Sequence, residues 1–164
     1  MPTRLLVVDA NVWIDLSNGG LVERVFQLGY SVSSPDVVVA ELQSPSPDEL
    51  LRLGLTVVEL TGQQVLAVLK LTEQERRISA KDLAAFFVAR DSGGVLLTGD
   101  AHLRRLAQQR GLRAKGTLWV LDEAIRAAIL AERDAAAALE AMLASGGRLP
   151  RRECDGRLRR WRRN

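Results

Sequence analysis

The chain holds one cysteine and one histidine in 164 residues. Cys154 alone excludes an internal disulfide and a cysteine metal cluster, and it points to a reducing compartment. With His102 as the single histidine, a structural zinc site has no ligand set to draw on. Long apolar runs are also missing: no stretch approaches the roughly 18 uncharged apolar residues of a membrane span. The stretch from Met1 to Asp9 has too short an apolar run for a signal peptide and no small-residue cleavage site. The chain therefore reads as cytoplasmic, with no membrane partner. No glycine-rich phosphate loop follows the first apolar segment, which argues against the common nucleotide-binding enzymes. Asp9-Ala10-Asn11 lacks the second aspartate expected of a phosphatase that works through an aspartyl-phosphate, and no internal repeat is visible.

What is present describes a globular domain. Hydrophobic residues make up 47% and charged residues 26%, and the length suits one core. The net charge of +3 invites the thought of nucleic acid, but the charge is divided. Residues 148–164 hold eight arginines against Glu153 and Asp155, a balance of +6, which leaves −3 on residues 1–147. The division suggests a body over 1–147 and an arginine-rich C-terminal tail over 148–164.

Strand and helix signals alternate along the body. Leu5 to Val8 has the look of a buried parallel strand, followed by a short helix from Asn11 to Leu16. Tyr30 to Ser33 alternates like a strand, and Pro35 suits the first turn of a helix carrying Val37 to Leu42. Further strands are expected at Thr56–Leu60, Val95–Thr98 and Leu112–Gly116. Helices are expected at 48–53, 63–71, 79–91, 101–110, 117–128 (capped by Thr117) and 131–144. This order implies an α/β domain with a mainly parallel sheet.

In such a sheet, ligands bind outside the carboxyl ends of the strands. Asp9 directly follows the first strand, and Asp100 follows Val95–Thr98 across one glycine. Glu41, near the end of the helix after Pro35, and Asp82, in the first turn of the helix after Ser79, could face the same edge. Each acid also has an ordinary structural role open to it. Asp9 and Asp100 are suited to cap helices, Ser79-Ala80-Lys81-Asp82 resembles a capping box, and Glu41 could be an exposed helix charge. Brought together, the four would repel one another unless a hard divalent cation such as Mg²⁺ or Mn²⁺ neutralised them.

Leu6-Val7-Val8-Asp9-Ala10-Asn11, Pro35 to Leu42, Ser79 to Ala85 and Val95 to Asp100 look like the four successive motifs of PIN-domain ribonucleases. The stretch from Leu103 to Leu118 is similar to a VapC-like toxin subgroup with an extended C-terminus. The resemblance implies a three-layer α/β fold, its central mainly parallel sheet flanked by helices, with 1–147 as the nuclease domain. It implies Mg²⁺- or Mn²⁺-dependent cleavage of RNA phosphodiesters at Asp9, Glu41, Asp82 and Asp100, which would be both catalytic residues and metal ligands. Asn11 and Thr98 match supporting polar positions. Gly99 stands where that subgroup often has another acid, and Asp122 could supply an extra ligand. A homodimer and a cognate antitoxin are implied as partners. Trp13, Leu16 and Leu21 could serve such an interface or the core.

In the tail, Arg151, Arg152, Arg157, Arg159, Arg160, Arg162 and Arg163 suit phosphate, and Trp161 could stack on a base. Leu149, Leu158 and Trp161 could instead pack the tail on the body. His102 is open to a part in RNA positioning or proton transfer, or to simple solvation. Two functions follow: the metal-dependent endoribonuclease, as the toxin of a type II pair, and an inactive PIN-like module that docks RNA or protein through its basic tail.

Overall fold

In a computed structural model, which describes residues 4–163, the apolar run Leu5–Val8 forms strand β1 and divides its side chains between two layers. Leu6 and Val8 enter one core, and Val7 enters the other. Helix α1 (Ala10–Asn18) follows at once, then α2 (Val22–Phe26), β2 (Ser31–Pro35), α3 (Asp36–Val39), α4 (Pro47–Leu53) and β3 (Thr56–Val58). The second half runs α5 (Gly62–Gln74), α6 (Ala80–Ser92), β4 (Val95–Leu97), α7 (Ala101–Gln109), β5 (Ala114–Lys115), α8 (Thr117–Arg126), α9 (Glu132–Ala144) and α10 (Arg151–Trp161). The described strands form one sheet in the order β3-β2-β1-β4-β5, and every pairing is parallel. Helices cover both faces, so the three-layer α/β architecture is observed. None of the described helices is long and apolar enough to cross a membrane.

One face of the sheet packs Val95 and Leu97 of β4 against Trp13, Leu16, Leu121, Leu139 and Met142. Trp13 and Leu16 are fully buried and Leu21 nearly so, which settles these three as core. The other face packs Leu96 against α6, whose residues from Asp82 through Ala89 are all buried. A helix apolar on every side belongs inside a protein. Ser79 caps it, its hydroxyl accepting from the Asp82 N–H at 3.2 Å.

Several boundaries depart from the sequence expectation: β2 runs on through Pro35, which was expected in the first turn of the next helix, and β3 stops at Val58 rather than Leu60. Helix α3 ends at Val39 rather than near Leu42, because three consecutive β-branched valines crowd a helical turn. Glu41 therefore lies in the turn beyond it. Thr117 does not cap α8: Gly116 holds that position, and the Thr117 hydroxyl donates to Asp15 Oδ2 at 3.0 Å. Strand β5 keeps only Ala114 and Lys115.

The arginine-rich segment is mostly helix α10, which packs on α9. Cys154, Leu158 and Trp161, at helical spacing, are buried in the same core as Trp13 and Met142. Trp161 is only 2% exposed, so it cannot stack on a base as the sequence suggested. Burial also pushes the Cys154 thiol up, leaving it an inert core side chain. Truncating Trp161 to alanine should cost about 3–5 kcal/mol in chemical denaturation, whereas Arg159→Ala should stay within about 0.5 kcal/mol. A tail that merely frays would show no difference between the two.

Candidate active site

The strand order reverses at the β1–β4 seam, since β2 and β3 lie beyond β1 while β5 lies beyond β4. Asp9 and Asp100 leave the carboxyl ends of these two adjacent strands, at the crevice where open parallel sheets bind ligands. The Asp9 N–H donates to the Leu97 carbonyl at 3.0 Å, so the backbone itself ties the first acid to the end of β4.

The Asp9 carboxylate is fully buried and held from three directions. Oδ1 accepts from the Val12 N–H at 2.9 Å, capping α1. Oδ2 accepts from the Thr98 hydroxyl at 2.5 Å and from the Gly99 N–H at 3.2 Å. Thr98 Oγ1 in turn accepts from the Asp100 N–H at 3.1 Å, so one hydroxyl links both acids. Burial pushes the Asp9 carboxyl up to about 7; the charge of Asp82 adds to this, and the three hydrogen bonds oppose it.

Asp100 caps α7 with one oxygen: Oδ1 accepts from His102 N at 2.8 Å and Leu103 N at 3.2 Å. Its other oxygen makes no hydrogen bond among the described residues. Asp82 is 8% exposed, and burial, followed by the Asp100 charge, raises its carboxyl. Asp82 thus feels both other acids, and the three form one electrostatic group.

The remaining expected residues are less closely joined. Glu41 is exposed and ion-paired with Lys81, the neighbour of Asp82 on α6. Asn11 is exposed at the rim, its Cβ 3.3 Å from where a Gly99 side chain would begin. A larger side chain at Gly99 would have to displace Asn11 by a few tenths of an ångström. Asp122 is taken by Arg157, which donates to both its oxygens at 2.6–3.2 Å. Among the described residues no three acids, histidines or cysteines converge into a ready cage. The donor set nevertheless suits Mg²⁺ or Mn²⁺, which take one or two carboxylates and keep several waters. The free oxygen of Asp100 and the charge of Asp82, which no cationic side chain among the described residues pairs, are the features that fit.

Two residues escaped the sequence reading. Asp15, one turn beyond Asn11 on α1, is 9% exposed with its carboxyl raised by burial. Its carboxylate ties α1 to α8 through Thr117. Arg104 donates to the Thr98 carbonyl at 2.9 Å and lines a cleft of about 300 Å³ that Gly99, Lys115, Trp119, Arg148 and Arg157 share. An acid six residues after Asp9 and an arginine four residues after Asp100 carried no motif that could mark them.

Sheet order, crevice and acids together define a PIN-like α/β domain. A family model described as PIN domain, DUF3368, matches residues 5–163, and the chain belongs to that family. Among solved structures the chain is similar to a PilT N-terminus domain protein from the archaeon Sulfolobus solfataricus P2, at 15% identity and a TM-score of 0.53, over 73% of this chain and 92% of that one. It is also similar to PAE2754 from Pyrobaculum aerophilum, at 16% identity and a TM-score of 0.53, over 75% of this chain and 98% of that one. At these identities the likeness shows the fold. No curated protein matches. PIN domains are generally nucleases and usually use divalent metals.

The raised Asp9 carboxyl makes stability depend on pH. Its folded value of about 7 stands above its ordinary 3.8, so the stabilisation it contributes is full below about pH 4 and is lost as pH rises through 7. In chelator, the protein should therefore melt at a lower temperature at pH 8 than at pH 5. Asp82→Asn, by removing a neighbouring negative charge, should narrow that gap. A flat melting profile in both proteins would count against a buried, repelled Asp9.

Proposed function

We propose that the protein is a metal-dependent endoribonuclease that hydrolyses RNA phosphodiester bonds, acting in the cytoplasm as the toxin of a type II toxin–antitoxin pair. The observation that carries this reading is the pairing of Asp9 and Asp100 at the ends of β1 and β4 through Thr98, with Asp82 on α6 close enough for its charge to act on both. Asp9, Asp82 and Asp100 would hold Mg²⁺ or Mn²⁺. When bound, the ion supplies charge stabilisation at the phosphate and a water acidic enough to attack it.

The chain's own residues do the positioning. Thr98 and Gly99 hold Asp9 Oδ2, and the helix cap holds Asp100 Oδ1 so that its second oxygen is presented. Asn11, exposed beside Gly99, would contact the substrate phosphate. Glu41 joins the acids only by exchanging its partner Lys81, and Asp122, held by Arg157, stays outside the set. No protein nucleophile is required, and the one thiol is buried. The partners proposed are an RNA substrate, an antitoxin that blocks the acidic crevice, and a second copy of the chain. The self-interface does not use Trp13, Leu16 or Leu21, which are core.

Asp100→Asn keeps the capping oxygen, so it should fold and melt normally while losing at least about 100-fold in Mn²⁺-dependent RNA cleavage. Protons compete with metal for Asp9, so apparent Mn²⁺ affinity, read by calorimetry, should fall about tenfold per pH unit below about pH 7 and level off above it. Cleavage by Asp100→Asn at the native rate would end this reading.

A further inference from the structure

Beside the acids lies a groove of about 350 Å³ that the sequence did not reveal. One wall is a single face of α7, carrying His102, Arg105 and Gln109 at positions one and two turns apart, with Leu106 in the floor. The other wall is the end of α5 and the turn after it, with Arg76 and Arg77. Both walls are joined to the candidate site by a few residues of chain. The α7 wall begins two residues after Asp100, and the turn leads through buried Ile78 into Ser79, the cap of the helix that carries Asp82.

The charges in this groove are unspent. Arg76, Arg77 and Arg105 are exposed, and among the described residues none makes a side-chain hydrogen bond or ion pair. Arg90, Arg126, Arg157 and Arg162 all do. Among the described residues that line the groove, Glu75 is the one acid facing the three guanidinium groups. Like charges gathered around a concavity without partners repel one another, and a bound polyanion relieves that repulsion while each guanidinium grips a phosphate bidentately.

We propose that this groove holds the sugar-phosphate backbone of single-stranded RNA and leads it across Asp82 and Asp100. Arg76, Arg77 and Arg105 contact phosphates, and the Gln109 amide faces the bases. Unpaired RNA is the fitting form, because its splayed bases leave the backbone free to follow a groove. The assignment rests on the nuclease reading for its choice of RNA over an acidic protein.

The test measures binding apart from cleavage. Full-length protein carrying Asp100→Asn is titrated into a fluorescein-labelled single-stranded RNA of randomised sequence in Mg²⁺, and anisotropy is followed across salt. Adding R76Q, R77Q and R105Q should weaken binding at least tenfold at about 0.1 M salt. It should also lower the slope of log K against log salt by about 2, since each single-strand phosphate contact contributes about 0.7. R105Q alone should remove about one contact from the slope. The same number of substitutions on α10, R151Q, R152Q and R159Q, should change binding less than twofold.

Unchanged RNA binding in the groove variant would overturn the proposal, as would loss of affinity for an acidic protein partner with RNA binding intact. In the chain with Asp100 present, the groove substitutions should leave the Mn²⁺-induced rise in melting temperature unaltered; its disappearance would show the arginines acting on the acids, and would equally overturn the proposal. If the native chain cleaves no RNA in Mn²⁺ while the groove variant still loses RNA binding, the groove stands and the nuclease reading falls.

Discussion

A carboxylate without solvent must be paid for by its neighbours, and at the β1–β4 seam three donors surround Asp9 for that reason. The seam itself follows from topology. Chain order carries the sheet outward from β1 through β2 to β3, then returns to the other side of β1 for β4, so the ends of two neighbouring strands are left uncovered by a connecting crossover. The residues that emerge there supply the first acid, its hydroxyl partner and the second acid. Thr98 is the joint, donating to Asp9 and accepting from the backbone of Asp100. The capping role and the site role of these aspartates are thus the same geometry used twice. At Asp100 the helix N-terminus fixes one oxygen and leaves the other for chemistry, whereas at Asp9 the second oxygen is held by Thr98 and Gly99.

The third acid is positioned by a different device. Asp82 sits in the first turn of α6, a helix buried along nearly its whole length between the sheet and its neighbours. Such a helix cannot shift without breaking a dense core, so its first turn is a rigid mount. Rigidity here opposes electrostatics: burial first, and the neighbouring negative charge after it, raises the carboxyls of Asp9 and Asp82, and the fixed mount keeps them from relaxing apart. Strain of this kind is released by a cation, which gives the divalent ion a physical motive independent of family membership.

How much of this could be read from the residues depends on how local each signal is. The alternation of apolar strands and capped helices specified the layers and the parallel sheet, and Asp9, Asp82 and Asp100 could be picked out because each occupies a strand end or a first helical turn. Glu41 was placed by the assumption that a helix would run on to Leu42, and the valine run stopped it early. Long-range pairing left no local trace. Asp15 finds Thr117 across 102 residues, and Arg157 finds Asp122 across 35. Neither partner could be named from spacing, so Thr117 read as a cap and Asp122 as a spare acid. Trp161 was open to stacking on a base or to packing on the body, and the apolar helical stripe of Cys154, Leu158 and Trp161 decides for packing.

Net charge is a sum, and sums conceal location. The last 17 residues hold +6, which made the tail the obvious surface for nucleic acid. Folded, that helix turns its apolar stripe inward and spends Arg157 on Asp122 and Arg162 on Glu140. The body sums to −3, yet one groove in it gathers Arg76, Arg77 and Arg105, which have no side-chain partner among the described residues and stand close in sequence to the acids. Fields at a protein surface decay over about 8–10 Å in physiological salt, so a phosphate responds to the charges within that range and not to the total. An acidic body with a local basic groove can therefore draw a polyanion toward carboxylates that would otherwise repel it, and the groove, by lying beside the acids, does so where the attraction is of use.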